Sequence, residues 1–181
     1  MSNFNVTIKA LETSDKRIVE GWATRPEEDR AGDIVIPEGV KYKLPIPFLL
    51  DHNHSKAIGT VDEVTVTKDG IKFVAHVCKF DTDSDVARAC DNAWDLLRSG
   101  LRSHVSIGFR TLSYERNEGT EYGMIIKEWE WLELSAVTIP ALPSATITGM
   151  KKYRSPLDGS VRLIAPKPDE SKGAVRLISN A

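Results

Sequence analysis

The sequence predicts a β-rich α+β fold. It would be a curled sheet or barrel of about seven or eight mostly antiparallel strands with one or two flanking helices. Three observations predict it. Apolar and polar residues alternate in short segments along most of the chain up to about Gly149. Turn signals such as Asp69-Gly70 and Asn117-Glu118-Gly119 separate those segments. Only one stretch, after Asp83-Ser84, carries helical spacing.

The elements follow in order. Phe4 to Ala10 alternates, and Arg17 to Ala23 does so again with Ile18, Glu20 and Trp22 against Val19, Gly21 and Ala23. The turn-like Thr13-Ser14-Asp15-Lys16 between them suggests a hairpin. Arg25 to Asp33 reads as a charged loop, and Pro45 and Pro47 lead into Phe48-Leu49-Leu50. Ile58 to Thr67 and Ile71 to Val77 flank Lys68-Asp69-Gly70 as a second hairpin. The helix starts at a cap on Asp83 or Ser84, places Val86, Ala89, Ala93, Leu96 and Leu97 on one face, and stops before Gly100. Strands resume over Ser103 to Glu115 and over Met124 to Ile139. Pro140, Pro143 and Gly149 end the regular pattern.

These signals divide the chain into a domain over residues 1–150 and a Pro/Lys-rich tail over 151–181. The tail carries one peptide twice, in Gly159 to Ala165 and Gly173 to Ser179, sharing Val-Arg-Leu-Ile. It reads either as a linker with two sticky strands or as two docking or cleavage segments.

A net charge of -2 with scattered basic residues gives no footprint for nucleic acid. No apolar run approaches the ~20 residues of a membrane span. Cys78 and Cys90 are the only cysteines, too few for a Cys-rich zinc site and no sign of a disulfide framework. The N-terminus lacks the charged-then-apolar pattern of a leader, so a cytosolic protein, or one delivered from the cytosol into an assembly, is expected.

Three constellations could do chemistry. In Asp51-His52-Asn53-His54, an extended backbone would put His52 and His54 on one face, where they could chelate a metal. A catalytic histidine and a polar loop at a strand mouth are the competing readings. In His104-Val105-Ser106-Ile107-Gly108-Phe109-Arg110, Ser106 faces away from the core beside the small Gly108. A serine nucleophile needs a base within reach. His104 is on the same face but sits about 7 Å along the strand, which makes a histidine from another strand, such as His52, the better partner. In Trp131-Leu132-Glu133-Leu134 the apolar face reverses, which points to a bulge or bend near Trp131 and leaves Glu133 among apolar neighbours. Such an acid is costly to bury unless paired, and orienting a histidine would pair it. A solvated strand position is the alternative.

Together these segments resemble the prohead proteases of tailed bacteriophages, which share a fold with the herpesvirus assemblins. The resemblance covers most of residues 17–147 and rests on the order and spacing of several segments. They are Val19 to Ala23, Asp29 to Asp33, Leu50 to Asn53 with Ile58-Gly59, Val105 to Phe109, and Leu132 to Ala141 with Ala145.

It implies a serine endopeptidase without a cofactor or metal, packaged from the host cytoplasm into the immature capsid. Its partners would be the major capsid protein and scaffold peptides, with itself as a further substrate and a homodimer as one form. His52 matches the general base, Ser106 the nucleophile, and Glu133 the position of the third triad member. Backbone amides near Ile107 and Gly108 are oxyanion candidates. His104, Asn53 and His54 are supporting or alternative residues. Assemblins place paired arginines after the third triad residue. Here that region reads Pro140-Ala141-Leu142-Pro143, without one. A non-catalytic, scaffold-binding β-domain is the alternative function.

Overall fold

The structure, a computed structural model, describes residues 15–154. The strand expected over Phe4 to Ala10, its hairpin and both tail repeats lie outside those residues. Nine strands, one α-helix and one short 3-10 turn (Pro37–Gly39) make up the described fold. The strands are β1 (Asp15–Thr24), β2 (Ile34–Val35), β3 (Val40–Lys41), β4 (Ile46–Leu50), β5 (Asn53–Thr67), β6 (Gly70–Val77), β7 (His104–Arg116), β8 (Met124–Val137) and β9 (Ile147–Arg154). Helix α1 (Asp85–Arg98) joins β6 to β7.

The sheet is mixed. Antiparallel ladders join β4, β5, β6, β1 and β9 in that order, and β7 pairs antiparallel with β8. The other edge of β8 is covered in steps by β2, β3 and β4, all parallel to it. Pro37, Pro45 and Pro47 explain the steps. Proline cannot donate to a ladder, so this segment meets β8 in short pieces rather than one long strand. Antiparallel pairing dominates as the sequence predicts, but β2 and β3 carry too few residues to show alternation.

The sheet curls until its ends meet. The Val105 amide donates to the Ala145 carbonyl and the Ile147 amide to the Ser103 carbonyl, each at 3.0 Å. These bonds flank an isolated bridge between His104 and Thr146. From there β9 runs along β1 through Arg154, past the Gly149 stop and the 151 tail boundary read from composition. Pairing with β1 extends a segment whose own sequence is polar.

The concave face encloses Val19, Phe48, Ile58, Phe73, Val105, Trp129 and Leu134, all essentially inaccessible to solvent. Burying each of the larger side chains contributes roughly 1.5–3 kcal/mol. Trp129 also stacks edge-on against Phe109 at 5.5 Å, and its indole N–H donates to the Ile36 carbonyl at 2.9 Å. One buried polar handle is thereby satisfied.

Helix α1 begins where the sequence places it, with Ser84 Oγ accepting from the Ala87 amide at 3.1 Å. Its buried stripe differs from the expected one. Ala87, Cys90, Ala93, Trp94 and Leu97 face the sheet, while Val86 is exposed. Trp94 decides the rotation, because it carries the largest apolar area on the helix.

Candidate active site

Leu50 of β4 pairs with Asn53 of β5, so Asp51 and His52 are the two residues of a tight hairpin turn. Both have positive φ, 53° and 54°. Two left-handed residues in succession are the type I′ turn, whose twist matches the flanking strands. In a non-glycine residue this conformation costs roughly 1–2 kcal/mol, and several contacts offset it. The Asp51 amide donates to the Ala136 carbonyl at 3.2 Å, and the His52 amide to Ser135 Oγ at 3.0 Å. The Asp51 carboxylate is gripped by both terminal nitrogens of the largely buried Arg102, one at 2.8 Å. Hydrogen bonding from Arg102 holds the Asp51 carboxyl below its ordinary value of 3.8.

This turn overturns the extended backbone on which the chelating pair depended. His52 folds back over β8, whereas His54 is an exposed residue of β5. Asn53 spends its side-chain oxygen on the Ser55 amide at 2.9 Å. Among the described residues no cluster of three or more His, Cys, Asp or Glu is arranged to hold a metal.

Glu133 is buried and paired, as a catalytic reading requires. His52 Nδ1 donates to Glu133 Oε1 at 2.6 Å, and Ser135 Oγ donates to Oε2 at 2.8 Å. A carboxylate only accepts, so its partner nitrogen carries the proton and Nε2 of the neutral ring is left with its lone pair. Because Ser135 also accepts from the His52 amide, one hydroxyl ties the acid to the turn. Sequence reading missed Ser135. The available signal was a hydroxyl two residues after Glu133, on the same strand face, inside an otherwise apolar run.

Of the bulge or bend expected near Trp131, the structure shows a bulge. Gly108 pairs with Glu133 and Phe109 with Trp131, which leaves Leu132 as the extra residue. The Trp131 indole N–H donates to the Glu133 carbonyl at 2.8 Å, satisfying a group beside the break in the ladder.

Ser106 sits directly opposite Ser135 in the β7–β8 ladder. Opposed residues of an antiparallel pair share a face with Cβ atoms about 4.5–5.5 Å apart. Ser106, Ser135, Gly108 and Glu133 therefore occupy one face, and the His52 ring is drawn onto it by Glu133. Among the described residues the structure records no direct bond between Ser106 and His52. Such contacts are often loose without substrate and tighten on binding. His104 shares the face but hydrogen-bonds Ser103 Oγ through Nδ1 at 3.0 Å.

The two oxyanion candidates separate. The Val105 amide points away from β8, toward Ala145. Amides alternate in direction along a strand, so that of Ile107 points the same way and that of Gly108 turns into the ladder. Gly108 serves the site differently: a Cβ there would fall 1.9 Å from Glu133 Oε1. Its missing side chain is what allows the carboxylate to lie across β7.

A cavity of about 40 Å³ is lined by Ser106 together with Ala23, Val35, Phe109 and Leu142. The segment after β8 lacks arginine in sequence but meets one in space. Arg30 donates from Nη1 to the Pro140 carbonyl at 2.6 Å and from its amide to the Ala141 carbonyl at 3.0 Å.

Known proteins resemble the chain over most of its length. The chain is 43% identical over 144 residues to the capsid polyprotein of Pseudomonas phage PAJU2, covering 80% of this chain but only 21% of that protein. It is 31% identical over 150 residues to the prohead protease of Escherichia phage T5, covering 77% of this chain and 67% of the relative. Similar solved structures include the KSHV protease in complex with a hexapeptide phosphonate inhibitor (14% identity, TM-score 0.46, 73% of this chain and 63% of that one). The varicella-zoster virus protease is another (14%, 0.38, 61% and 57%). The model of the caudovirus prohead serine proteases matches residues 4–156, from before β1 to beyond β9 and across every residue of the site. The chain therefore belongs to the caudovirus prohead serine protease family.

Proposed function

We propose that the chain is a serine endopeptidase of capsid maturation, with His52 as general base, Ser106 as nucleophile and Glu133 as the acid that orients His52. Its substrates are the scaffold or the scaffold-like arm of a major capsid protein, and its own chain. The observation that carries this reading is the His52–Glu133 bond, 2.6 Å, on the face that Ser106 shares.

The arrangement suits acyl transfer. His52 Nε2 takes the Ser106 proton as Oγ attacks the peptide carbonyl, and returns it to the departing amine. The Glu133 carboxylate stabilises the imidazolium formed in between. Ser135 and the Asp51–Arg102 pair position the ring rather than react. The outward amide of Ile107 is available to the substrate. Water then repeats the cycle on the acyl-enzyme, with His52 again as base. The repeats at Val161 to Ile164 and Val175 to Ile178 are the segments proposed for self-cleavage or docking.

Mass spectrometry of the purified chain and of Ser106→Ala, each incubated with capsid precursor, tests the assignment. Cleavage by the parent that is lost in the variant supports it, as does inactivation by a serine-directed acylating reagent but not by a chelator. Processing that persists in Ser106→Ala would refute it.

A further inference from the structure

A second group of reactive side chains lies on the β5–β6 ladder and takes no part in the site above. Asp62 is the extra residue at a register shift between Val61 and Glu63. The shift brings its carboxylate to His76, which pairs with Thr60 on the neighbouring strand. His76 Nδ1 donates to Asp62 Oδ2 at 2.5 Å, and Thr60 Oγ1 donates to Asp62 Oδ1 at 2.7 Å. With Nδ1 engaged, Nε2 is directed toward Cys78, two residues along the chain, whose Sγ lies 4.0 Å away. Asp62 and His76 are both more than a third exposed and Cys78 is half-buried, so the group is open to small molecules.

We infer that Cys78, His76 and Asp62 form a second reactive centre, in which the Cys78 sulfur is the nucleophile for low-molecular-weight disulfides. Cys78 loses its thiol proton to solvent and attacks one sulfur of the reagent as the thiolate; the reagent's S–S bond breaks and a Cys78 mixed disulfide forms. The departing thiolate takes a proton from the His76 imidazolium, which regains one from solvent, so the proton lost by Cys78 equals the one gained by the released thiol. Asp62 holds the imidazole by its far nitrogen, as Glu133 holds His52.

The electrostatics support this geometry. Its contact with Cys78, and then the Asp62 carboxylate, push the imidazole up to about 9, against the opposing effect of burial. His76 is thus cationic at neutral pH and faces the sulfur, the setting in which a cysteine becomes reactive. Cys90 provides the internal contrast. It is buried in α1, donates to the Ile58 carbonyl at 3.7 Å, and burial pushes its thiol up to about 11. From α1, Cys90 lies close enough to feel Cys78, and it also feels Arg17 of β1 and Asp91 of α1, which are bound to each other.

The test uses the full chain carrying Ser106→Ala, so that proteolysis does not interfere, with oxidised glutathione as the probe and peptide mass mapping as the readout. The adduct is expected at Cys78 and not at Cys90. At about pH 7 its rate should fall roughly tenfold in His76→Gln, which lacks the cation facing the sulfur. Asp62→Asn, at an exposed position, should also slow the reaction, and it serves if His76→Gln fails to fold. Equal rates in all three proteins would overturn the inference, as would preferential modification of Cys90.

Discussion

A methyl group on Gly108 would land within the Glu133 carboxylate, 1.9 Å from Oε1 and 2.8 Å from Cγ. Gly108→Ala should therefore displace the acid from His52 while leaving the core untouched. A loss of about 100-fold in kcat/KM, roughly 2.7 kcal/mol, is expected with little change in thermal midpoint. Steady-state cleavage and thermal unfolding of the same preparations would check it. Asp51 gives a pH-dependent counterpart. Its carboxyl is held below 3.8 by Arg102, so it adds stability that is present above about pH 3.8 and lost as the pH falls through the lowered value. Asp51→Asn keeps a side chain that tolerates the left-handed turn. It should be less stable than the parent near neutrality, with the difference closing in strong acid. Thermal unfolding from about pH 7 down to about pH 3 would show this. The residues of the proposed site stood out one by one in sequence: a histidine after Leu-Leu-Asp, a serine beside a small residue, an acid in an apolar run. What joins them did not, because Ser135 and Arg102 act through hydrogen bonds that span 83 and 51 residues.

At the scale of elements, α1 is fastened to β1 by an ion pair of uneven environment. Arg17 is buried, stacks over Trp94 at 5.7 Å and binds Asp91 at 2.6 Å, and its Nε and Nη1 have no partner among the described residues. Asp91 is half exposed. Removing the acid strands a buried cation, while replacing the arginine by an apolar chain removes the unmet donors too. Asp91→Ala should therefore cost more stability than Arg17→Met, by about 1–3 kcal/mol, as measured by urea unfolding. The helix also shows how far periodicity carries. Its span, cap and stop follow from Ser84, the apolar spacing and Gly100, yet its inward face is set by where Trp94 fits against the sheet. The β4–β5 turn is the opposite case. Nothing in Asp51-His52 signals a type I′ turn, which Asn-Gly would. The left-handed pair is held by contacts from β8 and from Arg102.

For the molecule as a whole, the alternating segments, the Asp69-Gly70 hairpin and the bulge at Leu132 were determined by sequence, because each rests on neighbours within a few residues. The candidate residues of the proposed site also stood out in sequence, since few histidines and acids occur in patterns that need explaining. The parallel steps of β2, β3 and β4 on β8, the closing bridge between His104 and Thr146, and the extension of β9 to Arg154 were decided only by the tertiary structure. Their pairing energy comes from strands far away in the chain, and it leaves little trace in local pattern. The same holds for the proposed catalytic constellation. Sequence supplied His52, Ser106 and Glu133. The curled sheet put Ser106 and Glu133 on one face, and the strained turn, held by Ser135 and Arg102, carried His52 across to it.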